Sequence, residues 1–386
     1  MARVVVGISG GVDSSVAAYL LKEQGHEVIG MFMINWHDRD GIVSPECQIH
    51  DDELFAKMVC KKLDIPLHIV DLSETYFERV TKYMFDEYEK GRTPNPDVLC
   101  NREIKFDAFL EEALKLGADY VATGHYCRKT TTIENGQEVH HLLEGLDPNK
   151  DQSYFLCQLN QYQLSKALFP IGHLEKPEVR RIAEEQGLAT AKRKDSQGIC
   201  FVGKVNLPDF LKQKLKANEG DIIEIPGTHY EYDAPEYLYT ANKICYNPCE
   251  GAVIGKHNGA HFFTIGQSKY LGISGRKDKM FVIGTDTKKN IVYVGEGQYH
   301  PGLYRKQLFV NGENIHIISP IFGSYIYANQ KMKARIRYRQ QLQDVDVVLM
   351  NGGLFVKFDE AQRGITPGQF IAFYIDDELV ASGVIN

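Results

Sequence analysis

Three short stretches hold residues that can do chemistry. The first, Ser9-Gly10-Gly11-Val12-Asp13-Ser14-Ser15, follows the apolar run Val4–Val6 and leads straight into an amphipathic segment. Two glycines let backbone amides approach an anion, three serines add hydroxyl donors, and a helix N-terminus adds about half a positive charge. The loop has no lysine, so it is not the common nucleotide-binding loop. Asp13 beside a phosphate makes sense if it holds Mg²⁺ or positions an amide. The second stretch is Thr93-Pro94-Asn95-Pro96-Asp97, with Cys100 behind it. The prolines stiffen an extended turn. A helix expected to start near Asn101, with Arg102 and Lys105 in its first turn, would raise the thiolate fraction of Cys100. Asp97 is spaced to act as an acid or base beside that thiol. The third stretch places Cys200 after Asp195, Ser196 and Gly198, behind the basic run Lys192-Arg193-Lys194. Two such cysteines and a phosphate loop without a hydride-cofactor motif point to sulfur chemistry. One cysteine carries a persulfide and the other thiol resolves it through a disulfide.

These residues need elements to position them. Up to about residue 125, β-rich runs (4–8, 27–34, 66–72, 118–123) alternate with helix-like segments (14–24, 51–63, 74–90, 103–116). That rhythm predicts an α/β fold: a parallel sheet with helices on both faces and a ligand crevice at the carboxyl ends of the strands. Residues 150–217 read as mostly helical, clearest at 176–186 and 207–216. Glycine-punctuated short strands follow, and the last of them form a hairpin around Asp376-Asp377. The expected domains are a catalytic domain (1–217) carrying both cysteines, a β-rich central domain (218–300) and a C-terminal β-barrel (301–386).

Composition narrows the class. The chain has 386 residues, 43% hydrophobic and 25% charged, too long for one ordinary core. No apolar run approaches the roughly 20 residues of a membrane span. The N-terminus lacks the layout of a signal peptide. The expected location is therefore cytoplasmic, with no membrane partner and mostly reduced thiols. The eight cysteines include no pair of CxxC motifs, which argues against structural zinc. A net charge of −7 excludes a generally basic nucleic-acid binder but leaves room for local patches. One such patch is Lys331–Gln340, where Lys331, Lys333, Arg335, Arg337 and Arg339 alternate with apolar residues. A strand there would present a cationic strip suited to a phosphate backbone. Strict alternation points Tyr338 inward.

The loop resembles that of enzymes which cleave ATP to AMP and pyrophosphate. The chain as a whole resembles the tRNA-specific 2-thiouridylases of that superfamily. GISGGVDSS, TPNPDVLCNREIKF, ATGHY, KDQSYFL, KDSQGICFVG, GKHNG, TIGQ, RIRYRQ and TPGQ occur in the family's order. The resemblance implies ATP-dependent thiolation of C2 of the wobble uridine, with Cys100 as nucleophile, Cys200 as persulfide carrier and Asp97 as acid/base candidate. It implies ATP contacts at Gly7, Ile8, Ser9, Gly10, Gly11, Val12, Asp13, Ser14, Met33 and Gly124, with Mg²⁺ accompanying ATP near Asp13. Asn95, Pro96 and Asp97 would approach the target base. His125, Lys150, Asp151, Gln152, Arg337, Tyr338 and Gln369 would touch tRNA. With Tyr338 at tRNA, a twist or strand end is expected there. A transient Cys100–Cys200 disulfide and a sulfur-relay protein fed by a cysteine desulfurase complete the expectation. Two features depart from the family: Ser268 replaces the arginine after TIGQ, and an insertion spans about 226–250, most simply an elaborated hairpin. The rival readings are an ATP-to-AMP ligase for a small metabolite, an inactive tRNA-binding protein and a thiol oxidoreductase.

Overall fold

Val4, Val5 and Val6 are all fully buried, so their strand is covered on both sides rather than alternating between core and water. It lies in the middle of a five-stranded parallel sheet, ordered Leu67–Asp71, Glu27–Ile34, Arg3–Gly7, Tyr120–Ala122, Ala167–Leu168. In this computed structural model residues 1–37, 48–195, 210–212, 214–232 and 244–386 are described. On one face Val4 and Val6 pack with Val16, Val59 and Val179 of the helices Val12–Glu23, Gln48–Leu63 and Lys176–Glu185. On the other, Val5 and Met31 pack with Tyr76, Val80, Ile104 and Phe109. Helical backbone runs through 73–89 and 96–115, with π-helical stretches at Phe77–Thr81 and Cys100–Ala108. Of the expected helix at 207–216, residues 207–209 and 213 lie outside the described residues; 210–211 are helical and 214–216 are not. The two-residue fifth strand falls in a segment whose pattern read as helical.

Beyond residue 220 the structure is β-rich, as expected. The middle sheet runs Met280–Asp286, Ile291–Glu296, Gly220–Glu224, Ala252–His257. The C-terminal sheet includes Phe370–Ile375 and Glu378–Val384, hairpin-paired around Asp376-Asp377. One feature was not anticipated. The strands Cys127–Glu134 and Gln137–Glu144 leave the N-terminal region and join that sheet, with Leu142 opposite Leu379. The first and last parts of the chain thus share a hydrogen-bonded sheet. The expected hairpin belongs to the insertion 226–250, of which 233–243 lie outside the described residues. Its flanks form short 3₁₀ turns, Tyr230–Tyr232 and Pro248–Glu250. The Tyr232 and Tyr246 hydroxyls lie 2.9 Å apart, and Tyr246 packs beside Tyr293 in a small separate core. Among the described residues no helix is long and apolar enough to cross a membrane.

Candidate active site

The phosphate loop occupies the carboxyl end of the central strand. Gly10 has φ +73°, and a Cβ there would sit 2.4 Å from the Asp52 carbonyl oxygen, so only glycine fits. The Ser15 hydroxyl donates to the Gly11 carbonyl at 2.7 Å, closing the first turn of the helix. Ser9 stays exposed, 3.2 Å from the Ser14 hydroxyl. No side chain caps Gly11, which leaves first-turn N–H groups for an anion. Gly124 approaches from the fourth strand, where a Cβ would meet the Ser14 nitrogen at 2.7 Å. Met33, by contrast, is a buried core residue near the end of the second strand.

Charge arrives at this loop from distant segments that sequence reasoning missed. Lys176 Nζ lies 2.7 and 2.8 Å from the two Asp13 oxygens and 2.9 Å from Asp195. The Tyr126 hydroxyl also donates to Asp13, at 2.7 Å. Asp13 is thus held by two donors at the mouth of the loop. Among the described residues no group of three or more His, Cys, Asp or Glu side chains could hold a metal. Asp195 also accepts from Lys150 at 2.6 Å and Arg180 at 2.8 Å. Partial burial alone would raise its pKa, but the bonds from Lys150 and Lys176 prevail and hold it at about 2. Arg193 donates to the Gly10 carbonyl at 2.7 Å, pairs with Asp52 and covers the Phe55 ring. Arg193, in the basic run 192–194, is thus a brace for the loop. No local sequence signal marks Lys176 or Arg193, because their partners are set by the fold.

Cys100 is fully buried, and its helix starts one turn earlier than expected. Asn95 Oδ1 accepts from the Val98 N–H and Pro96 occupies the first turn, so the positive helix end lies at Pro96–Val98 rather than at the thiol. Arg102, expected to flank the thiol, reaches Glu103 and Gln158 instead, at 2.7 and 2.8 Å. Asp97 precedes Cys100 by three residues, one helical turn away, and lines a cavity of about 260 Å³ with Asn95, Pro96, Gln369, Tyr88 and Met84. Gln369 shapes that cavity. Its Nε2 donates to the Thr93 and Pro94 carbonyls at 2.9 and 3.1 Å, while Asn95 donates to its Oε1 at 3.4 Å. Thr264, from the TIGQ stretch, lies 3.0 Å from Thr93 through the two hydroxyls. The other buried thiols are poor nucleophiles: burial raises Cys60 to about 11, Cys157 to about 12, and Cys127 upward too. Cys200 lies outside the described residues.

Several residues expected at an RNA surface face inward. His125 is buried, its Nδ1 2.7 Å from the Thr123 hydroxyl, and burial with nearby Lys105 pushes its pKa well down. Asp151 Oδ2 accepts from Arg335 at 2.5 Å and its Oδ1 from the Gly145 and Ser153 N–H groups. Gln152 Oε1 accepts from the Tyr126 N–H at 3.0 Å. The cationic strip is interrupted for the same reason. Its strand, Met332–Arg335, ends at Arg335, which is 4% exposed and also bonds Glu144 and the Tyr374 hydroxyl. Lys331 pairs with Asp359 at 2.8 Å. Past the strand, Arg339 has φ +62°, and the Tyr338 ring lies 4.5 Å from Phe155 with Arg339 over it. The strand end anticipated near Tyr338 is present. Lys333, Arg337 and Arg339 remain exposed.

Comparison with known proteins adds to this geometry. The family description "tRNA methyl transferase HUP domain" matches residues 2–204, "tRNA methyl transferase PRC-barrel domain" 235–296, and "Aminomethyltransferase beta-barrel domain" 318–385. The tRNA-specific 2-thiouridylase MnmA of Christiangramia forsetii is 55% identical over the full length of both chains. That of Flavobacterium johnsoniae is 54% identical, again over the full length of both. The chain belongs to the tRNA-specific 2-thiouridylase family. Members of this family are enzymes, and the HUP match implies that the N-terminal part of this 2-thiouridylase relative uses ATP. Its architecture, a five-stranded parallel α/β sheet followed by a middle β domain and a C-terminal β domain, agrees with those three matches.

Proposed function

We propose that this chain thiolates C2 of uridine 34, the wobble position of tRNA, with consumption of ATP. The observation that carries the reading is the juxtaposition, in a full-length 2-thiouridylase relative, of Cys100 with a turn whose Asn95, Pro96 and Asp97 line a base-sized cavity. A uracil C2 carbonyl is a poor electrophile. Its oxygen attacks the α-phosphorus of ATP, pyrophosphate leaves, and the C2 oxygen becomes part of an AMP leaving group. The uracil N3 proton passes to a base, for which Asp97 is the candidate. Sulfur from a Cys200 persulfide then replaces AMP at C2. Cys100 attacks the Cys200 sulfur and forms a Cys100–Cys200 disulfide, either releasing sulfide first or resolving the enzyme after direct transfer. A two-electron reductant restores both thiols. Because Cys100 is sealed and does not line the cavity, the relay requires movement around it. Loading of Cys200 calls for a sulfur-relay protein fed by a cysteine desulfurase, which fits a cytoplasmic setting.

The test incubates the protein with unmodified tRNA, ATP, Mg²⁺ and a persulfide donor, then digests the RNA for mass spectrometry. The expected product is 2-thiouridine that requires ATP, Cys100 and Cys200, with Cys100→Ser at background. AMP formation on a small acceptor without tRNA, or methylation from S-adenosylmethionine, would overturn the reading.

A further inference from the structure

The loop Ser9–Ser15 lacks the lysine that other phosphate loops carry, and the fold places one beside it. We propose that Lys176 is the phosphate-gripping lysine of this site and stabilises the pyrophosphate leaving group. The proposal rests on the ATP-dependent reading above. Lys176 opens the helix Lys176–Glu185, an unfavourable end for a cation in a helix dipole. Its backbone is nevertheless fixed there, because its N–H donates to Asp147 at 3.0 Å. The residue is only 7% exposed. Its ammonium extends to Asp13, inside the loop, at 2.7 and 2.8 Å.

The surroundings are densely charged. Lys150, Lys176 and Arg180 share the single carboxylate of Asp195, and Arg193 sits on the loop's own carbonyl and on Asp52. Four cations therefore face four carboxylates, Asp13, Asp52, Asp147 and Asp195, around a loop with uncapped N–H groups. A polyphosphate would compete with these carboxylates for the cations, and a lysine turning from Asp195 needs only a side-chain rotation to meet it. In the adenylation step the new bond joins the acceptor oxygen to the α-phosphorus. The bond that breaks is from that phosphorus to the αβ bridging oxygen, whose electron pair leaves with pyrophosphate. Lys176 acts on that departing charge and transfers no proton.

The test measures ATP and pyrophosphate binding by calorimetry on the full chain without tRNA. A charge-assisted bond of this kind is worth about 10- to 100-fold in affinity. Lys176→Met is expected to weaken both ligands by that factor, and Lys176→Arg to restore most of it. Asp195→Asn, which removes the competitor for Lys176, is expected to tighten ATP a few-fold, and this gain is expected to vanish in the Lys176→Met/Asp195→Asn double variant. Far-UV circular dichroism and a thermal melt verify that each variant is folded. Equal ATP affinity in wild type and Lys176→Met would overturn the proposal. So would an Asp195→Asn gain that persists without Lys176, or no gain in a folded Asp195→Asn protein should Lys176→Met fail to fold. Absence of ATP binding by the wild type would instead sink the ATP-dependent reading on which it rests.

Discussion

Around the phosphate loop, Lys150, the helix residues Lys176 and Arg180, and Arg193 come from three segments of the chain and converge on Asp13, Asp52 and Asp195. Along Lys331–Arg339, five cations stand at alternate positions in one short segment, yet the fold divides them. Arg335 is drawn into a buried network with Asp151, Glu144 and Tyr374, Lys331 is paired with Asp359, and Lys333, Arg337 and Arg339 stay exposed. The scattered cations build a local field, and the regularly spaced ones do not build a strip. Regular spacing specifies a face only while the strand lasts and only if nothing covers that face. Here the strand stops at Arg335, and the segment around Asp151 covers its last cation.

The largest effect that would break this contrast concerns Arg335. Arg335→Met leaves Asp151 buried without its charged partner and should cost about 3–5 kcal/mol of stability. A fall in melting temperature measures it, and the loss in Arg335→Met combined with Asp151→Asn should be less than the sum of the two single losses. An unchanged melt would restore Arg335 to an RNA-facing role. Next comes Gln369, whose bonds to the Thr93 and Pro94 carbonyls hold the cavity turn. Gln369→Ala should lower turnover about tenfold, the range of one or two lost hydrogen bonds, with the tRNA KM changed less than about twofold. A raised KM at constant kcat would make it a direct tRNA contact.

Acid titration probes the converging cluster. Asp195 is held at about 2, below its ordinary value, so its contribution to stability is present above about pH 4 and is lost as pH falls toward 2. His125, depressed by burial, acts in the other window: its unfolded form takes up a proton below about pH 6.5, so stability declines as pH falls through that value. Asp195→Asn should flatten the lower limb of the stability–pH curve and leave the upper one in place. The smallest expected effect is at the exposed strip. Lys333→Ala should weaken tRNA binding slightly and reduce the salt slope by about 1. Filter binding across a salt series reads it, and an unaltered slope would remove Lys333 from the interface.

Local patterns were legible wherever one segment held all the information. The run Val4–Val6, the glycine-serine loop and the helix behind it follow from apolar patterning and backbone permissiveness. The hairpin at Asp376-Asp377 was equally readable, from turn residues between two apolar runs. The start of the Cys100 helix was misjudged because Asn95 and Pro96 are themselves a helix-opening pair, an N-cap followed by proline at the first position, although they also read as a stiff turn. The inward facing of His125, Asp151 and Arg335 left no trace in their own neighbourhoods.

By itself, the sequence determined the glycine-serine loop after the first strand, the α/β-then-β order of the chain and the place of Cys100 three residues after Asp97. These depend on residue type and short-range spacing, which survive in the linear chain. Only the tertiary structure decided that Lys176 stands where the loop lacks a lysine, that Gln369 holds the turn before Cys100, and that the hairpin 127–144 ties the first part of the chain to the last. Each is a pairing between segments far apart in sequence. Such pairings arise from packing the whole chain, where burial and charge compensation act on neighbours in space rather than in sequence.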